Sequence, residues 1–240
     1  MREVAIERIT DAATEPTIRR LMRTPLTFSQ RRDQRAGGRR VSQATGYRYL
    51  HEGIDVLASQ APDLHEVLGR CRGEGMTHVI LDGTLIASDR VAGLRENGND
   101  LWFGQKHKAF GGKVQFLAAP DGTPLWVSDT EPGSTPDRLH AFPVLYKAAA
   151  DGLPTLADKG YIGAGIGILV PIRRPKGQSE QALHADTRTM NNLIRGIRAL
   201  GERAVAELKQ RCRALQRVTT SPSRTGNIAR ATLTLNAIWR

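Results

Sequence analysis

The chain has 240 residues, 40% of them apolar, which is enough for a hydrophobic core of ordinary domain size and a small second module. Lys and Arg number 35 against 24 Asp and Glu, so the formal net charge is +11. This balance favours a polyanionic partner such as nucleic acid over an acidic small molecule, although a ribosome-associated or merely basic soluble protein has the same composition. No apolar run approaches the roughly 18 residues of a membrane span, and the N-terminus lacks the apolar core of a signal peptide.

The two cysteines, Cys71 and Cys212, lie far apart and form no Cys-x-x-Cys or Cys/His cluster. The sequence therefore predicts neither a disulfide framework nor a structural zinc site. A soluble protein of a reducing cytoplasm, with no membrane partner, is the expectation.

Residues 1–40 form a basic segment without clear periodicity. Its run of arginines at 31–40 is too polar to bury a helix face and predicts a loop. That loop is either a solvated basic segment or an arm that contacts phosphates.

Residues 41–73 have a helical pattern. Ser42 suits the N-cap of a first helix, and Pro62 marks the start of a second. The first helix has one apolar face, and its opposite face carries Arg48 among other residues that contact bases and phosphates. It is either part of a helix-turn-helix that binds DNA or a helix that packs on the next domain.

The most informative stretch is Thr77–Thr84. It begins as a buried strand over His78–Leu81 and continues with Asp82 and Gly83. A strand that ends in an acid followed by glycine presents that carboxylate at the edge of a rigid sheet. Asp82 is therefore predicted to be the first ligand of a metal site.

Two further apolar runs, at 113–119 and 124–129, flank a turn sequence and predict an antiparallel hairpin beside the first strand. Before the hairpin, the segment 102–108 places Lys106 and Lys108 among aromatic residues. Such a segment is suited to follow a nucleic-acid backbone and stack on bases, or to fill a small loop core.

Asp137 and Asp158 are two further candidate acids. A helix is predicted from Thr135 to about Ala150, with Asp137 in its first turn, where the helix dipole favours negative charge. The short apolar run after it ends at Asp158, in the same strand-to-acid arrangement as before.

A long helical period begins near Ala185. It places Arg198, Glu202 and Lys209 close to one face of the helix, a pattern that spacing alone does not distinguish from a solvated surface. A closing helix is predicted over 228–239.

Four motifs occur in order: Asp82 in Ile-Leu-Asp-Gly-Thr, Pro132-Gly133-Ser134, Asp158 in Leu-Ala-Asp-Lys-Gly-Tyr, and Arg198-x3-Glu202-x6-Lys209. Each is weak by itself. Together, on strand, loop, strand and helix, they resemble the DDE superfamily of transposases, of the bacterial insertion-sequence and harbinger-like kind. The resemblance covers roughly residues 41–238.

This resemblance implies an α/β, ribonuclease-H-like fold, in which a mixed sheet is flanked by helices and its first and fourth strands carry the two aspartates. The domains would be the basic segment 1–40, a helix-turn-helix remainder at 41–73 and a catalytic domain at 76–240. The implied catalytic residues are Asp82, Asp158 and Glu202.

The resemblance also implies two Mg²⁺ or Mn²⁺ ions, because such ions activate water and relieve charge on the leaving oxygen during phosphodiester cleavage. Carboxylates are the hard ligands that magnesium prefers. The implied metal ligands are Asp82, Asp137, Asp158 and Glu202. Arg198 and Lys209 would hold phosphates or orient Glu202.

The expected activity is cleavage of double-stranded DNA at the ends of an insertion element, followed by strand transfer into target DNA. A homodimer or larger assembly in the bacterial cytoplasm would pair the two ends. Two alternatives stay open. One is a domesticated or decayed DNA-binding protein, suggested by the irregular segment 1–40 and by Pro136, which stands where similar proteins have His. The other is a nuclease of the same fold without strand transfer.

Overall fold

The structure is a computed structural model that describes residues 42–136, 148, 152–164 and 167–238. Residues 1–41, Asp137 and nearly all of the helix predicted after Thr135 lie outside these ranges. The described helices are α1 Gln43–Ser59, α2 Leu64–Gly73, α3 Ala185–Arg211 and α4 Thr225–Ile238. The described strands are β1 Val79–Ser88, β2 Phe103–Gly104, β3 Ala109–Ala118, β4 Pro124–Val127, β5 Glu131–Pro132, β6 Thr155–Leu156, β7 Ile168–Leu169 and β8 Arg217–Val218.

The strands form one mixed sheet in which β1 is central. On one side, β1 pairs antiparallel with β3 from Ile80 to Ala87. On the other side, β1 pairs parallel with β6, which in turn pairs parallel with β7. The strands β2, β4 and β5 all pair antiparallel with β3, while β8 pairs with the end of β1. The predicted mixed α/β class and the β3–β4 hairpin are therefore confirmed.

The first strand is longer than its sequence pattern predicted. The predicted strand over His78–Leu81, with its acid at the sheet edge, is wrong in extent, because β1 continues through Asp82 to Ser88. The cause is the long ladder with β3, in which Asp82 lies opposite Phe116. Since side chains alternate along a strand, Asp82 shares a face with Ile80 and Ile86.

Hydrophobic side chains pack on both faces of the sheet. The face that carries Asp82 is covered by α1, α3 and α4, whose core includes Ile54, Phe116, Val205, Leu208, Ile228 and Leu233. The opposite face is covered by α2 and Ala148, with a core that includes Val67, Leu68, Val79, Leu117 and Tyr161. Helix α1 packs mainly against α4, whereas α2 contacts β4, and the division at 41–73 remains a prediction. No helix in the described ranges is both long and apolar enough to cross a membrane.

Side-chain caps define where the first two helices begin. Ser42 Oγ accepts a hydrogen bond from the Thr45 backbone N–H at 3.2 Å, as its predicted N-cap role requires. Asp63 Oδ1 accepts from the Glu66 backbone N–H at 2.8 Å. The second helix therefore starts at Leu64 after an aspartate cap, slightly later than Pro62 indicated.

Helix α3 lies very close to β1 at Gly201. A Cβ atom built on Gly201 would lie 2.7 Å from Ile80 Cγ2, inside van der Waals contact. Glycine is thus required at this point because it lets the helix that carries Arg198 and Glu202 approach the strand that carries Asp82.

The close packing at Gly201 gives a stability prediction. Gly201→Ala should lower the free energy of unfolding by about 1–3 kcal/mol, because the new methyl group overpacks against Ile80. Gly196→Ala, on the same helix, meets nothing within 4 Å and should raise stability by up to about 1 kcal/mol through helix propensity. Urea unfolding of both variants measures the difference, and equal effects would contradict it.

Candidate active site

The strand register brings the two predicted aspartates together. In the parallel pairing of β1 with β6, Ile80 lies opposite Leu156. Asp82 and Asp158 each follow two residues later, so Asp82, inside β1, lies level with Asp158, which is just past the end of β6. Their separation in sequence is large, but the register places them side by side.

Asp158 is held by the turn that it begins. Its Oδ1 accepts a hydrogen bond from the Gly160 backbone N–H at 2.7 Å, which caps the one-turn 3-10 helix Lys159–Tyr161. Its Oδ2 lies 3.9 Å from Lys106 Nζ. One carboxylate oxygen is therefore fixed to the backbone, and the other faces a basic side chain.

The third acid, Glu202, is paired with an arginine that also contacts Asp82. Arg198 Nη2 on α3 lies 3.0 Å from Glu202 Oε1 and 3.5 Å from Asp82 Oδ1. The Arg198 side chain is only 9% exposed, while that of Glu202 is 55% exposed. A buried guanidinium group thus lies between two of the three predicted catalytic acids.

The electrostatics of Asp82 reflect this crowding. Burial is the largest cause that raises the pKa of Asp82, from 3.8 to about 6; the negative charges of Glu202 and Asp158 add to this effect, and Arg198 opposes it. Burial is thus the main cause of the raised pKa of Asp82, and Arg198 offsets part of it. Three basic side chains, Arg198, Lys106 and Lys209, lie near the three acids.

Lys209 ties the far end of α3 to β1. Its Nζ donates to Thr84 Oγ1 at 2.6 Å and to the Leu85 carbonyl at 3.1 Å. Burial lowers the pKa of Lys209, and the negative charge of Asp82 partly offsets that effect. Lys209 thus anchors the helix to the strand beside the acids, and its proposed role in holding phosphate is untested.

The other predicted DNA contacts lie in different places. Lys106 is exposed and reaches Asp158, as described above. Lys108 has a left-handed backbone, with φ 51°, and its Nζ donates to Gln105 Oε1 at 3.2 Å. Arg48 is on the exposed side of α1, with its guanidinium 5.5 Å from the centre of the Tyr49 ring. Only Lys106 has a contact with one of the acids.

Two supporting residues were missed by sequence reasoning. Thr84 receives Lys209, and its position two residues after Asp82 on the same strand face was the available signal. Gln115 is buried opposite Gly83, and its Nε2 donates to Tyr161 Oη at 3.3 Å on the other side of β1. This contact ties β3 to the turn that holds Asp158, and no sequence pattern signals it.

The acids have suitable chemistry for a metal ion, but their arrangement is incomplete. Among the described residues, no three His, Cys, Asp or Glu side chains converge closely enough to hold a metal ion as they stand. Three hard carboxylates nevertheless match what Mg²⁺ or Mn²⁺ binds. The donor set therefore fits a divalent cation once these side chains move closer together.

The chain belongs to the family of DDE superfamily endonucleases, whose model matches residues 81–236, more than half of the sequence. The predicted resemblance to DDE-superfamily proteins is thereby confirmed, and membership indicates a transposase-like nuclease that acts on DNA. Comparison with curated proteins and with solved structures found no match.

The raised pKa of Asp82 gives a pH-dependent prediction. A carboxyl group whose pKa is higher in the folded state stabilises the fold fully below about pH 4 and loses that contribution as the pH rises through about 6. Without a divalent cation, Asp82→Asn should therefore be more stable than the natural protein at about pH 8, by about 2–3 kcal/mol at most. The difference should vanish near pH 4.

Chemical denaturation across this pH range measures the effect. Glu96 is an exposed loop residue, so Glu96→Gln is the control and should not change stability at either pH. A stability difference for Asp82→Asn that is independent of pH would contradict the assignment of a strained, ionised Asp82 in the folded protein.

Proposed function

We propose that this protein is a transposase that cleaves double-stranded DNA at the ends of an insertion element and transfers the resulting 3′ end to target DNA. The observation that carries the proposal is the meeting of Asp82, Asp158 and Glu202 from three separate elements, with Arg198 between two of them. A homodimer or larger assembly on the DNA of a bacterial cell would bring two element ends together.

The sheet supports a ribonuclease-H-like fold for this enzyme. Three successive strands, β1, β3 and β4, pair antiparallel, and β6 and β7 continue the sheet in parallel from the other side of β1. The first acid lies within β1, the second follows β6 and the third is on the late helix α3. The acids come in the order that the resemblance implied, although the second follows β6 and not a fourth strand, because the two-residue strands β2 and β5 come before it.

Asp82, Asp158 and Glu202 would hold the divalent ions, with Asp137, which lies outside the described residues, as a further proposed ligand. Bound Mg²⁺ or Mn²⁺ would supply an activated water and stabilise charge on the leaving oxygen. Arg198 Nη2 already provides a positive charge between Asp82 and Glu202. A metal ion held by these carboxylates would compete with this guanidinium for their oxygens.

The protein's own groups position the reaction. The rigid β1–β6 register sets the relative position of Asp82 and Asp158, and the turn at Gly160 fixes one oxygen of Asp158. Arg198, once released from the acids, can make a bidentate contact with a phosphate oxygen pair. Lys209 holds α3 against β1 and keeps positive charge beside the cleaved strand.

The direct test is cleavage of DNA with the natural inverted ends of the element. Asp82→Asn should reduce Mg²⁺-dependent nicking by at least about 100-fold, since removal of a direct ligand should cost no less than the loss of a residue that merely supports one. Binding to the same DNA in EDTA should be retained. Undiminished nicking by Asp82→Asn would contradict the proposal. If the natural protein nicks DNA but does not join it to target DNA, the protein is the same-fold nuclease instead.

Metal binding can be measured without activity. Mg²⁺ at about 100 times its dissociation constant should stabilise the natural protein by about 2.7 kcal/mol, because the ion binds the folded state alone. The increase in melting temperature should be absent from Asp82→Asn and present in the loop control Glu96→Gln. An increase of the same size in all three proteins would show that Mg²⁺ binds elsewhere.

A further inference from the structure

A basic cleft lies next to the acids. It has a volume of about 480 Å³, within the range of pockets that bind small molecules. It lies between the β2–β3 hairpin, the loop that follows β1 and the segment after β5. Its lining side chains are of three kinds: the cations Arg90, Arg95, Lys106 and Lys113, the aromatic rings of Phe103 and Phe110, and the amides of Asn99 and Gln105.

One wall of the cleft is formed by a close contact between backbone segments. A Cβ atom on Gly133 would lie 2.4 Å from the Trp102 carbonyl oxygen and 2.7 Å from that of Gly111. Glycine alone allows this contact between backbones, which brings Ser134 and Thr135 against the hairpin. The Pro132-Gly133-Ser134 motif thus has a structural role here, since it closes one side of the cleft.

The charges in the cleft favour an anion. Arg90 lies 3.9 Å from Asp100, and Asp100 is the only acid among the described lining residues. Arg95 is exposed and donates to the Ser134 carbonyl at 3.5 Å. The cleft therefore carries more positive than negative charge, and a phosphate group matches this balance.

The rings and amides favour a base beside that phosphate. Phe103 and Phe110 pack edge to face with centroids 5.1 Å apart, and Arg90 lies 5.6 Å from the Phe110 ring centre. Aromatic faces and stacked arginines bind bases without regard to sequence. Asn99 and Gln105 carry amide groups, which can hydrogen-bond to base edges.

The cleft is continuous with the acid site. Lys106 lines the cleft, and its Nζ is 3.9 Å from Asp158 Oδ2. A strand whose phosphate is held at Lys106 therefore passes from one site to the other. Bases in an intact duplex are stacked on each other, so only an unpaired nucleotide can place its base on Phe103.

We infer that this cleft binds an unpaired nucleotide of the DNA strand beside the cleavage position. Arg90, Arg95 and Lys106 hold its phosphate, while the base stacks at Phe103 and Phe110. The inference rests on the proposed function for the identity of its substrate. It adds a site for single-stranded DNA that is separate from the carboxylates.

The test compares binding of a fluorescent oligothymidylate single strand with binding of a blunt duplex, both to the full chain in EDTA. Phe103→Leu keeps an apolar side chain but removes the ring, and it should weaken single-strand binding at least about 5-fold. Duplex binding should stay within about twofold of the natural protein. Equal loss for both ligands, or no loss for the single strand, would overturn the inference.

Phe103 is half-buried, so its substitution can weaken binding through a change in folding. A second variant at an exposed residue separates the two effects. Arg95 is exposed, and Arg95→Gln should weaken single-strand binding and lower the slope of log affinity against log salt by about 0.7, the value for one phosphate contact. Arg70→Gln removes an equal charge from the exposed side of α2 and should change neither quantity. Unchanged single-strand binding by Arg95→Gln would exclude this cleft as the site.

These outcomes are separable from those of the proposed function, because binding in EDTA involves no cleavage. If Asp82→Asn nicks DNA normally while Phe103→Leu loses the single strand, the cleft stands and the proposed catalytic site fails. The opposite pair of results would retain the catalytic site and reject the cleft.

Discussion

The site depends on the contacts that the buried guanidinium group of Arg198 makes. This group joins α3 to β1 through Asp82, at 3.5 Å, and pairs with Glu202 on its own helix, at 3.0 Å. Burial of charge is unfavourable unless partners compensate, and removal of one partner leaves the others uncompensated. Here two carboxylates, Asp82 and Glu202, share one buried arginine, and the surrounding fold must hold these groups in place.

Packing contacts fix the positions of the elements that carry the acids. Gly201 lets α3 lie directly on Ile80, and Lys209 fastens the same helix to Thr84, so contacts on both sides of Glu202 fix the helix to the strand. On the other side of the sheet, Gln115 reaches Tyr161 opposite Gly83 and supports the turn of Asp158. The acids are therefore held by a helix and two strands whose relative positions are set by apolar cores and a few buried polar contacts.

The sequence predicted the features that depend on residues close together in the chain. The hairpin, the long helix and the Arg198–Glu202 pair follow from turn residues and helical periodicity, and the structure contains them. The extent of β1 could not be predicted, since aspartate and glycine disfavour strands and only pairing with β3 overrides that preference. Strands of two residues, such as β2 and β8, are too short to show any period. The basic cleft combines segments that are unrelated in sequence, so only the fold reveals it.

The distribution of charge suggests how one site can serve both an empty and a substrate-bound state. In the structure, Arg198 contacts Asp82, and Lys106 Nζ lies 3.9 Å from Asp158 Oδ2. DNA and divalent ions together would bring both negative and positive charge. Each carboxylate could then exchange its basic side chain for a metal ion, while each released base could contact a phosphate. The basic residues near the acids would then stabilise the empty site and would also bind the substrate.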